Sequence, residues 1–118
     1  MAAPASSAVA VAGRDAAPGE FRLTPASDER LLAAGPLTFA TARRASAQGE
    51  AVLTAPGAAH EIDCRGVSAA DSAGLAVLID WLGVAKRAGR HLRYTHLPQG
   101  LTALAGISDL AQLLERGV

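Results

Sequence analysis

Leu75, Leu78, Ile79 and Leu82 recur at i, i+3, i+4 and i+7, a spacing that places them on one helical face. The pattern predicts a helix over Leu75 to Ala88 whose leucine stripe packs on a sheet, with Gly89 as its stop. Before it, Ile62 and Cys64 alternate with Asp63 and Arg65, so Glu61 to Cys64 reads as a strand. Leu92 and Tyr94 alternate with Arg93 and Thr95 in the same way. Phe21-Arg22-Leu23 and Arg30-Leu31-Leu32-Ala33 flank the turn-prone Thr24 to Asp28 and read as a hairpin, closed by Gly35-Pro36. Thr38 is a candidate cap for a helix running to about Gln48, with Leu37 and Phe39 supplying bulk and Gly49 ending it. Ala51-Val52-Leu53 could begin a strand, but Pro56-Gly57 breaks it, so Glu50 to Ala59 reads as loop. Pro98 opens a helix with Leu101, Leu104 and Ala105 on one face. Ser108-Asp109 caps a last piece carrying Leu110, Leu113 and Leu114. The predicted order is strand, strand, helix, strand, helix, strand, helix, helix, which makes the chain α/β.

Residues 1–19 are rich in Ala, Ser, Gly and Pro and show no periodicity that could bury a face. They read as a disordered tail ahead of one domain over residues 20–118. Half of the 118 residues are apolar, which is enough for a self-supporting core. Eleven basic residues balance eleven acidic ones, and aromatic residues are few, so nucleic acid is not an expected partner. Cys64 stands alone in a predicted strand, where it reads as a small core hydrophobe. No apolar run approaches the roughly 20 residues a bilayer span needs, so direct membrane insertion is not expected. Ala8-Val9-Ala10 imitates a cleavage site but lacks a preceding basic residue, which leaves the cytoplasm as the expected compartment.

The candidate site is Asp71-Ser72-Ala73-Gly74, where the strand hands over to the leucine-striped helix. A serine hydroxyl there stands among helix N-terminal N–H groups that have no partner within the helix. As an enzyme nucleophile Ser72 would need a base and a group to orient that base. His60, His91 and His96 belong to no catalytic signature, and neither Gly-x-Ser-x-Gly nor Gly-x-x-x-x-Gly-Lys is present. No catalytic residue, cofactor or metal site is assigned. Asp63 and Asp71 without a His or Cys cluster make a poor metal site. Asp71 or Ser72 could equally be no more than a helix cap. Lys86, Arg87 and Arg90 suit the negative end of the helix dipole. Trp81 lies roughly 120° from the leucine stripe, aligned with Val77 and Gly74. That second strip is either covered by a neighbouring helix, such as the one beginning at Pro98, or presented to a partner with Trp81 as its anchor.

Asp63-Cys64, Val67, Asp71-Ser72-Ala73-Gly74-Leu75 and His96-Leu97-Pro98 with Leu101 and Leu104 together resemble a STAS domain, the fold of anti-sigma factor antagonists and sulfate-transporter tails. Leu37 to Ala42, and Leu97-Pro98 followed by leucines up to Leu114, are similar to the MlaB branch of that family, small subunits of bacterial ABC transporters that move phospholipid between the two membranes. The resemblance covers about Phe21 to Arg116. It implies a STAS fold with a mixed sheet of four to five strands, an N-terminal hairpin and interspersed helices. It implies a non-catalytic subunit, peripheral to the inner membrane through its partner, docking on an MlaF-like ABC transporter ATPase. Asp71, Ser72, Ala73, Gly74, Val77 and Trp81 would form the partner-binding face. In the antagonist branch, Ser72 would instead be the phosphosite of an anti-sigma factor kinase. Ala73, where antagonists often show a second serine, favours the transporter branch.

Overall fold

The computed structural model describes residues 19–27, 29–56, 61–107 and 110–117. The elements are β1 (Arg22–Pro25), β2 (Arg30–Leu37), α1 (Ala42–Leu53), β3 (Glu61–Ala70), α2 (Ser72–Arg87), β4 (Arg93–Thr95), α3 (Gln99–Ile107) and α4 (Ala111–Arg116). Their order is the one the hydrophobic pattern predicts. The four strands lie side by side as β1-β2-β3-β4, antiparallel across the first pair and parallel across the other two. The architecture is thus mixed α/β with the expected hairpin. Residues 1–18 and the Ser108-Asp109 cap lie outside the described residues.

Strand register sets the core. Leu23 pairs with Ala33, and Leu31, Ile62 and Tyr94 line up across β2, β3 and β4. All are buried, and Leu75, Leu78, Trp81 and Leu82 of α2 join them in the same core. The Tyr94 hydroxyl reaches out of that row to donate to the Leu78 carbonyl at 2.5 Å, which satisfies its polar tip inside the core. Burial raises that phenol well above its ordinary range. Cys64 is fully buried, and burial, with the Asp63 charge nearby, pushes its thiol up to about 12. A thiol so disfavoured as thiolate is inert packing.

Several boundaries differ from the expected ones, each for a packing reason. Strand β2 does not close at Gly35-Pro36 but runs to Leu37, paired with β3 through two register shifts. Pro36 sits beyond the end of β1 pairing at Ala34 and beside a register shift against β3, where proline is tolerated in a strand. Helix α1 begins at Ala42 and runs through Gly49 to Leu53, so the possible strand at Ala51 to Leu53 and the first four residues of the expected loop are helix, while Thr54 to Pro56 are turn and residues 57–59 lie outside the described residues. Gly49 is no terminator: a Cβ there would overlap the Trp81 indole, so the helix accepts glycine's cost of about 1 kcal/mol to let the two helices meet. Thr38 is not the cap either. Thr41 occupies that position, its hydroxyl accepting from the Thr38 N–H at 3.0 Å and donating to the Pro36 carbonyl at 2.8 Å.

Candidate functional site

The strand-to-helix turn is built around one carboxylate. Asp71 has extended backbone (φ −139°, ψ −170°) and caps α2, its Oδ1 accepting from the N–H groups of Ala73 at 2.9 Å and Gly74 at 3.1 Å. Its Oδ2 accepts from the N–H of Phe39 at 3.0 Å. One side chain therefore clasps two segments, the start of α2 and the loop between β2 and α1. The Phe39 N–H, then those of Gly74 and Ala73, outweigh slight desolvation and hold the Asp71 carboxyl below its usual range. A carboxylate stabilised in this way is a weak proton acceptor, a poor match for the base a serine nucleophile requires.

Ser72, the first residue of α2, is exposed beside this clasp, and Ala73 is half-buried. Gly74 faces inward, where a Cβ would strike the Leu37 carbonyl oxygen. Its small size serves contact between α2 and β2, not the approach of a visitor. Val77 and Trp81 depart furthest from a partner-facing role. Trp81 is 0% exposed, wedged against Gly49 of α1 with its ring centroid 6.0 Å from that of Phe21. Val77 is buried too. The strip that contains them is covered by α1, not by the helix after Pro98, so Trp81 cannot anchor a partner. The reason is Gly49, whose missing side chain lets α1 close directly on the Trp81 indole.

The aromatic that does face outward is Phe39, 84% exposed, in the loop that Asp71 holds. It was expected to give bulk to a helix, but the helix starts three residues later. Beside it an open groove of about 630 Å³ runs between α1 and α2. Phe39, Ala42, Ala73, Ala76 and Val77 line it with apolar surface, and Arg43, Glu50 and Asp80 are its charged members. Phe39 lies beside Asp71, Ser46 donates to Asp80 at 3.2 Å, and Gly49 touches Trp81, so residue numbers rise together along both helices. The helices therefore run in the same direction, with both N-termini at the Ser72 end. Nothing in the local pattern around Phe39 announced its exposure, because a phenylalanine two residues from Leu37 looks like core.

A second cluster was also missed. The Asp63 carboxylate is 3% exposed, yet it accepts from the Arg65 Nε at 2.9 Å and lies 3.2 Å from Nδ1 of His96. Burial alone would raise the Asp63 carboxyl, but the backbone N–H and guanidinium of Arg65 and the His96 imidazole prevail and lower it. His96 sits at φ +55°, an uncommon conformation for a residue with a side chain. Among the described residues no group of three or more His, Cys, Asp or Glu is arranged to hold a metal ion.

Comparison with known proteins points one way. A family model described as "Mlab, STAS domain" matches residues 22–115. No curated protein matches the chain. Among solved structures, the anti-sigma factor antagonist SpoIIAA in its unphosphorylated form is similar with a TM-score of 0.56 and 14% identity, over 74% of this chain and 82% of that one. At that identity the likeness shows the fold and no more.

Proposed function

The chain belongs to the STAS domain family in its MlaB form, and on that premise we propose that it is a non-catalytic accessory subunit of a phospholipid (Mla-type) ABC transporter. It binds the transporter's cytoplasmic ATPase, and is peripheral to the inner membrane through that partner. The observation that supports this reading is an exposed Ser72 at the mouth of α2, flanked by the exposed Phe39 that the Asp71 clasp holds in place. An exposed hydroxyl beside an exposed aromatic offers one directional contact and one apolar anchor, which is what a protein interface needs and a hydrolase centre does not. Asp71 supports the surface from behind, and Gly74 holds the helix against Leu37. The subunit regulates the ATPase only so far as it contacts one conformation better than another. In co-purification from the native cell, the ATPase and an integral membrane permease should accompany the wild-type chain. Ser72→Glu should lose them, and undiminished yield with that variant would refute the docking role.

The likeness to an unphosphorylated antagonist, together with the exposure of Ser72, favours one second reading: an anti-sigma factor antagonist switched by phosphorylation of Ser72. A phosphate there adds about −1.5 to −2 charge next to Asp71 and would expel a partner adapted to a neutral hydroxyl. Incubation with ATP and cell extract followed by mass spectrometry separates the readings. Stoichiometric phosphate on Ser72 selects the switch, and its absence selects the transporter subunit.

A further inference from the structure

We infer that the groove between α1 and α2 receives a short amphipathic helix of the partner protein, lying antiparallel to both. The inference rests on the reading of this face as a protein-docking surface and specifies what docks. An extended segment suits the groove poorly, because both walls are helices whose N–H and C=O groups are largely used internally, leaving a strand's backbone without a ladder. A helix satisfies its own backbone and brings only side chains. The alanines at 42, 73 and 76 keep the walls low enough for close approach, and Phe39 stands at one end as the anchor. From Ala73 to Asp80 the groove follows a rise of seven residues along α2, about 10 Å, so it takes about two turns.

Charge sets the direction. Arg43 and the N-termini of both helices lie toward Phe39, whereas Glu50 and Asp80 lie at the far end. The complementary helix carries an acidic residue and its own C-terminus near Phe39, and a lysine or arginine near Glu50 and Asp80. That orientation runs opposite to α1 and α2.

The test uses the full chain in its native cell with the photo-crosslinking residue benzoylphenylalanine at Ala47, Ala76 or Ser72, the first two in the groove or on its edge and all three exposed. All three positions should capture the same protein, and Ala47 and Ala76 should map to one helix of it. The Glu50→Lys/Asp80→Lys pair should weaken the complex by tenfold or more, and reversing the partner's facing cation to glutamate should restore it. Glu50→Lys alone, on an exposed position, should give a smaller loss with an unchanged circular dichroism spectrum. Capture at Ser72 without capture at Ala47 or Ala76 overturns the groove while the turn reading stands. No capture at any position by folded protein overturns both. A crosslink to a second copy of this chain, a captured loop or strand, or charge reversal without rescue each overturns the partner helix.

Discussion

Two aspartates near opposite ends of strand β3 carry depressed carboxyls by different means. Asp71 is half-buried at the surface and held by three backbone N–H groups, from Phe39, Gly74 and Ala73. Asp63 is sealed beneath Arg65 and His96 and keeps its charge because the Arg65 backbone N–H, the Arg65 guanidinium and the His96 imidazole outweigh burial. The first arrangement is part of the backbone and ties two segments together. The second adds to one backbone N–H two side chains that are themselves more than half exposed. A surface meant to be gripped needs the first kind of support, since backbone amides neither wander nor respond to salt as mobile side chains do.

Five measurements test that contrast. The largest effect is expected from Gly74→Ala, which drives a methyl group into the Leu37 carbonyl and displaces the start of α2 from β2. Overpacking of this kind should cost about 2–3 kcal/mol by urea unfolding. It should also expose the Phe39 amide to hydrogen exchange, and an unchanged exchange rate would separate the clasp from the packing beneath it. Next, Asp63→Ala should cost about 1–2 kcal/mol, below the full value of a buried charge because Arg65 and His96 can rehydrate. It should leave Phe39 exchange untouched.

Acid and salt distinguish the two carboxylates further. Both have folded values below the ordinary Asp value of about 3.9, so the stability they confer is fully present above roughly pH 4 and is lost as pH falls through the folded values. Denaturant midpoints followed down that range should fall less steeply in Asp71→Asn and in Asp63→Asn than in the parent chain. At about 1 M salt, where screening acts within roughly 3 Å, the Asp63 carboxyl should titrate closer to its ordinary value while Asp71 barely moves. Equal movement of both carbon resonances in NMR titration would erase the distinction. Smallest of all is the stability effect of Ser72→Glu, within about 0.5 kcal/mol, because an acidic residue is welcome in the first turn of a helix. A large loss of stability in that variant would mean that partner loss reports unfolding, not docking.

The amino-acid sequence by itself determined the α/β order, the hairpin and the turn at Asp71-Ser72-Ala73-Gly74. Each of these is written in short-range periods: two residues for Ile62 and Cys64, and three or four for Leu75, Leu78 and Leu82. Local chemistry also sufficed to suggest a cap at that turn, and Asp71 supplies it. What tertiary structure decided is which apolar residues face outward. Of the two places open to Trp81, packing chose the buried one, beneath a helix other than the one suggested, since α1 meets it at Gly49, while the Asp71 clasp leaves Phe39 outside where its neighbourhood suggested core. The tie from Asp71 to Phe39 spans 32 residues, and the contact from Asp63 of β3 to His96, just past β4, joins segments that only the sheet brings together. Periodicity reports the face of an element and not what lies over it, because cover comes from residues distant in the chain whose approach depends on packing.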